Sequence, residues 1–131
     1  VGAALAAGRA RRMLTVPESV RIYLAAGPTD MRKSFDTLAA LTRDVIGQDP
    51  RSGHLFVFCN RNRDRLKILH WESSGYWLLS KRLEKGTFAW PAAGAARVTL
   101  TATELAVLLG GLDVRDTRKR PWYGRKTTSS A

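Results

Sequence analysis

Two hydrophobic periods alternate along the middle of the chain, and their order predicts an α+β domain. Val20-Arg21-Ile22-Tyr23-Leu24 is rich in β-branched and aromatic residues and is closed by Gly27-Pro28, which reads as a strand. The period then lengthens. Phe35, Leu38, Leu41, Thr42, Val45 and Ile46 recur at helical spacing, predicting a helix that begins within 31–34 and ends at 46, before Gly47 and Pro50. Thr29, Asp30 and Ser34 can each cap it. Residues 54–59, 66–71 and 76–83 read as three further strands, separated by the polar run 60–64 and by Ser73-Ser74-Gly75. Connections this short cannot make parallel crossovers, so these strands form an antiparallel meander. Glu84-Lys85-Gly86 offers one more turn into Thr87-Phe88-Ala89-Trp90, and 91–96 is a loop of small residues. Thr101-Ala102-Thr103-Glu104 fits a capping box, in which hydroxyl and carboxylate satisfy each other's backbone donors. Leu105, Leu108, Leu109 and Leu112 follow at i, i+3, i+4 and i+7, a short amphipathic helix ending near Gly110-Gly111.

The chain has 131 residues, the size of one ordinary core. Within it, 13–114 is the expected domain. Residues 1–12, Ala-rich and then Arg-rich, read as an upstream extension that does not pack. From Asp113 onward aliphatic residues almost vanish, so 115–131 reads as a disordered basic tail. The single cysteine, Cys59, suits a reducing cytoplasm. No apolar run approaches the roughly 20 residues of a membrane helix, and the order of charges at the start is the reverse of a secretory signal.

Charge changes the picture more than length does. Lys plus Arg number 22 against 11 acids, a formal +11 that would concentrate polyanions near the surface. The ends hold most of this surplus: +3 in 1–12 and +5 in 115–131, leaving +3 for the domain between them. The cations form three candidate anion sites. Arg32 and Lys33 fall near the start of the first helix, where an anion would relieve their conflict with the helix dipole. The competing reading has Asp30 capping the turn and Asp36 pairing with Arg32. Arg61, Arg63, Arg65 and Lys67 occupy every second position, either along one face of a ribbon or fanned from a hairpin tip. Both arrangements suit a phosphate backbone, and Trp71 on the same parity would add a stacking surface; the plain alternative is a charged, solvated hairpin edge. The third site, in the tail, interleaves Arg118, Lys119, Arg120, Arg125 and Lys126 with Trp122, a composition that neutralises phosphates and stacks on bases. A solubilising tail is its plain alternative.

Enzyme signatures are missing. His54, Cys59 and His70 are scattered, with no metal-ligand spacing, and both histidines read as strand residues satisfied by neighbours. Asp30, Asp36, Glu72 and Glu84 each have a cation nearby and read as ion-pair members. We therefore expect no catalytic residues, no metal and no cofactor. Trp71, Trp77 and Trp90 fall in the meander, and the apolar run Trp77-Leu78-Leu79 implies a sheet covered on both faces: one by the domain's own helix, the other by core packing or a partner protein.

One stretch, Gly27-Pro28-Thr29-Asp30-Met31-Arg32-Lys33-Ser34-Phe35-Asp36, resembles the TnpB, or Orf2-like, accessory proteins of the insertion sequence sixty-six family of bacterial transposable elements. The likeness continues through 49–58, 67–71, 81–91, 98–101 and Leu105 to Asp113, in the same order and at similar spacing, and spans roughly Leu14 to Arg120. His70 departs from the pattern, which more often has an aromatic residue there, and the 60–64 tip is richer in Arg and Asn. The resemblance implies a factor needed for efficient transposition and encoded beside a separate transposase that holds the catalytic carboxylates. It supplies no catalytic residues. The expectation is a non-enzymatic accessory factor that contacts element DNA, the transposase and other proteins of the element, or both. The alternatives are a transposase scaffold without DNA contact and a small nuclease. Oligomeric state is left open.

Overall fold

The structure, a computed structural model, describes residues 19–94 and 97–111. The elements in order are β1 (Ile22–Ala25), α1 (Phe35–Leu41) continued by a π-helical turn (Thr42–Ile46), β2 (Leu55–Cys59), β3 (Arg65–Glu72), β4 (Gly75–Arg82), β5 (Arg97–Leu100) and α2 (Ala102–Gly110). They build one small α+β domain around a five-stranded sheet of order β4-β3-β2-β1-β5.

The expected meander is β2-β3-β4, antiparallel throughout, with Leu69 opposite Phe56 on one side and Leu78 on the other. The sheet as a whole is mixed. β1 lies parallel to β2, with Ile22 beside Leu55, because 26–54 carries the chain back across the sheet through α1. β5 then pairs antiparallel with β1, with Tyr23 opposite Thr99, and forms the far edge.

Each face of the sheet is covered by one of the protein's own helices. Tyr23, Ala25, Phe56, Phe58 and Leu69 pack with Leu38, Ala39 and Ile46 beneath α1. Ile22, Leu24, Leu55, Val57, Cys59, Leu66 and Ile68 pack with Leu105, Leu108, Phe88 and Trp90 beneath α2. Burial on both sides explains why β1 and β2 read as continuous apolar runs rather than alternating ones. The second face, left open above to a partner protein, is therefore closed internally over β1, β2 and much of β3.

Local chemistry sets the boundaries. α1 begins at Phe35, just past the expected start within 31–34, because Ser34 is its N-cap, and the Ser34 amide donates to Thr37 Oγ1 at 3.0 Å. The helix widens where Thr42 Oγ1 donates to the Leu38 carbonyl at 2.9 Å, and it stops at Gly47, whose φ of +78° favours glycine. At α2 the capping box is formed: Glu104 N donates to Thr101 Oγ1 at 3.1 Å, and Thr101 N donates to Glu104 Oε1 at 2.8 Å. Residues 87–90 do not extend the meander. Instead Phe88 and Trp90 turn into the core, and the Trp90 indole donates to the carbonyls of Ala25 and Gly27 at 3.0 and 3.1 Å. This ties the strap after β4 to the end of β1.

Candidate nucleic-acid interface

Three loops far apart in the chain meet where β1, β2 and β4 end and β3 begins. Thr29 N donates to the Cys59 carbonyl at 2.7 Å, Leu83 N to Asp64 at 2.8 Å, and Phe88 N to Arg63 at 2.7 Å. The segments 27–34, 60–67 and 80–88 thus share one end of the domain. They hold nine cations and three carboxylates, whereas 13–114 as a whole holds 13 and 10. The modest basicity of the domain is an average over one strongly positive end and a remainder with more acids than cations.

The hairpin tip 60–64 is organised by Asn60. Its Oδ1 accepts from the amides of Asp64 and Arg65, both at 3.0 Å, and its Nδ2 donates to Asp64 Oδ1 at 2.8 Å. These bonds hold Arg63 at φ +63°, left-handed backbone that a non-glycine residue adopts only when held there. Arg61 and Arg63 are exposed at this tip, so of the two arrangements open for 61–67, the fan from the turn applies to them. Arg65 and Lys67 lie within β3 and face the α1 side. Among the described residues, the guanidinium groups of Arg61, Arg63 and Arg65 have no hydrogen bond or ion pair.

Lys67 and Arg32 are committed to structure. The Lys67 ammonium donates to the Lys33 carbonyl at 2.8 Å, bracing the loop before α1 against β3. Arg32 grips Asp30 through Nε (3.1 Å) and Nη2 (2.7 Å), and its amide donates to Asp30 Oδ1 at 2.9 Å. Those bonds hold the Asp30 carboxyl down at about 2. Arg32 and Lys33 both precede the N-cap instead of lying in the helix's first turn, and the partner of Arg32 is Asp30, not Asp36. Arg32 still presents an exposed guanidinium face, and Lys33 is half-buried.

Sequence reasoning missed Arg82, Lys81 and Lys85. Arg82 sits directly opposite Arg65 across the β3–β4 ladder, on the same side of the sheet as Lys67. Its only signal in the sequence was its parity with Ser80 and Leu78, which becomes informative once the register is known. Between this row and the 27–34 loop runs an open groove of about 560 Å³ lined by Met31, Arg65, Leu66, Lys67, Ser80, Lys81, Arg82 and Glu84. Glu84 bonds Arg82 at 3.0 Å.

Other candidates do not join this end. Trp71 lies at the opposite end of β3, with the Arg51 guanidinium 4.7 Å over its ring and Tyr76 edge-on at 5.0 Å. Its stacking is with the protein itself. His54 is satisfied as expected, with Nδ1 accepting from the Arg21 amide at 2.9 Å, while burial and the Arg21 charge lower its pKa. His70 departs from expectation: its Nδ1 is buried with no hydrogen-bond partner. Burial pushes the Cys59 thiol up to about 12. Among the described residues, no three His, Cys, Asp or Glu side chains converge on a metal site, and no helix is long and apolar enough to cross a membrane. Arg118, Lys119, Arg120, Trp122, Arg125 and Lys126, like 1–12, lie outside the described residues.

Residues 20–119 match the family model described as IS66 Orf2 like protein. Two relatives come from Sinorhizobium fredii strain NGR234 and bear the names uncharacterized protein y4hO and uncharacterized protein y4jC. The first is 38% identical over 103 residues, covering 79% of this chain and 90% of the relative. The second is 32% identical over 109 residues, covering 83% and 93%. No solved structure matches the chain.

Proposed function

Because the chain belongs to the IS66 Orf2-like family of transposition-associated proteins, we propose that it serves transposition in the cytoplasm as a non-enzymatic factor, contacting the element's DNA through the positive end of the domain. The observation that supports this reading is the convergence of 27–34, 60–67 and 80–88 at one end of the domain, where they bring nine cations against three carboxylates; at most eight of these cations remain for a partner, since Lys81 turns to the α2 side and donates to the Leu109 carbonyl at 2.7 Å. Phosphate contacts from such a surface position a protein on DNA without reading its sequence. Arg61, Arg63, Arg65 and Arg82 are the principal contacts, Arg32 and Lys33 lie beside them, and the 118–126 cations with Trp122 add affinity from the tail. The transposase of the same element is the proposed protein partner.

A second reading, a scaffold for the transposase without DNA contact, draws support from β4. This edge strand keeps Tyr76, Trp77, Leu78 and Leu79 only half-buried. Titration of the full chain against element-end duplex over a series of salt concentrations separates the two. The DNA reading expects log affinity to fall linearly with log salt, each phosphate contact contributing about 0.9 to the slope. Absence of binding at about 50 mM salt, where phosphate contacts are strong, would leave the scaffold.

A further inference from the structure

We propose that the groove between the Met31 loop and the ends of β3 and β4 seats a phosphate of the nucleic-acid backbone, and that Glu84 is its exchangeable stand-in. This rests on the DNA-contact reading above and goes beyond it by naming the seat and the group that guards it.

The first ground is the ladder itself. Arg65 and Arg82 are cross-strand partners with side chains on one side of the sheet, and like charges directly opposite each other are unfavourable in an antiparallel pair. Lys67, next along that side, adds a third positive charge whose position is fixed by its bond to the Lys33 carbonyl. No carboxylate among the described residues pairs with Arg65. A phosphate between Arg65 and Arg82 would remove the repulsion.

The second ground is how Glu84 is held. Its Oε2 accepts from Arg82 Nε at 3.1 Å and lies 3.0 Å from Nη2 as an ion pair, along the edge of the guanidinium that a phosphate takes when bound by two parallel donors. Both side chains are largely exposed, 61% for Arg82 and 79% for Glu84, so the pair is weak and salt-screened. Glu84 has no other hydrogen bond among the described residues, so nothing else fixes its carboxylate.

Asp30, across the Met31 wall, shows the contrast. It holds Arg32 through two guanidinium nitrogens and also accepts the Arg32 amide, so it is built into the turn. Arg32 is accordingly the locked cation of this end, and Arg82 is the one whose counter-ion can leave. The groove, about 560 Å³ and open to solvent, admits a backbone phosphate with its sugars.

The test is an anisotropy titration of the full chain against fluorescein-labelled element-end duplex at low salt, with thermal melts confirming that each variant is folded. Glu84→Gln should tighten binding by about 1.5- to 5-fold, the range spanned by an exposed ion pair. Arg82→Gln should weaken it, and the double variant should bind like Arg82→Gln alone, because Glu84 acts through that guanidinium. Asp44→Asn, which makes the same change in net charge on an exposed turn away from the groove, sets the baseline. The groove assignment fails if Glu84→Gln matches Asp44→Asn, or if it still tightens binding in the Arg82→Gln background. If Arg61→Gln/Arg63→Gln weakens binding while the Glu84 effect is absent, the DNA reading survives and the groove assignment does not. A wild-type chain that binds no DNA ends both.

Discussion

Replacing Asn60 with alanine removes no charge and yet should damage both the fold and the positive end. The side chain makes three hydrogen bonds of 2.8–3.0 Å, two from backbone amides and one to the Asp64 carboxylate. At a net ~0.5–1.5 kcal/mol each, with the lower part of that range suited to a half-exposed turn, the loss comes to about 2 kcal/mol. The same bonds hold the left-handed Arg63 backbone, a conformation that costs roughly 1–2 kcal/mol and is kept only while they are made. For a domain of this size, 1 kcal/mol moves the melting temperature by about 4–8 °C, so Asn60→Ala should melt roughly 8–16 °C lower. Urea unfolding followed by tryptophan fluorescence measures the first effect. DNA titration over a salt series measures the second: affinity should drop while the salt slope stays at the wild-type value, since the same cations remain. Arg61→Gln should instead lower the slope by about 0.9. A destabilisation under about 0.5 kcal/mol, well below the smallest sum of three such bonds, would refute the assignment of Asn60 as the organiser of the tip. So would a slope change equal to that of Arg61→Gln.

Three further substitutions probe the frame behind this end. Trp90→Phe keeps an aromatic six-membered ring but removes the donor shared by the Ala25 and Gly27 carbonyls along with part of the buried indole, and equilibrium unfolding should show a loss of at least about 1–3 kcal/mol. Thr101→Ala should cost about 1 kcal/mol in the same assay by opening the capping box of α2. His54 carries the pH dependence: its pKa is depressed in the folded state by burial and by Arg21, and its Nδ1 must stay unprotonated to accept the Arg21 amide. Its contribution is therefore present above the ordinary value of 6.5 and is lost as pH falls through the lower folded value. Urea midpoints at pH 7.5 and pH 5 should differ less in His54→Asn, which keeps an acceptor at the δ position, than in the wild type.

The parts of the structure legible in the sequence are those set by short-range chemistry. The meander followed from connections too short to do anything but reverse, and α2 from a capping box immediately before its leucines. The parallel pairing of β1 with β2 was hidden because it depends on where 26–54 crosses the sheet. The cover on the second face was hidden likewise, since Leu105 and Leu108 announce an apolar stripe but not the strands that receive it. At the positive end, the Arg61, Arg63 and Arg65 series was visible as a pattern. Arg82 was not, because facing Arg65 is a property of register. Arg32 and Lys33 looked like helix residues until Ser34 proved to be the cap, and Asp30, four residues earlier, proved to be the partner of Arg32.

The place of β1 has a bearing on how the chain acquires its shape. The meander can form from contacts close in sequence, whereas β1 is flanked by β2 and by β5, the last strand among the described residues. Long-separation contacts are slow to form because the intervening chain must first be ordered. β1, made before the strands that flank it, is thus among the last of them to be fully enclosed. The positive end depends on that late step, since Thr29 joins Cys59 and Trp90 joins Gly27 only when β1 is in place. A nascent or partly folded chain would carry the same arginines without assembling the surface they form together.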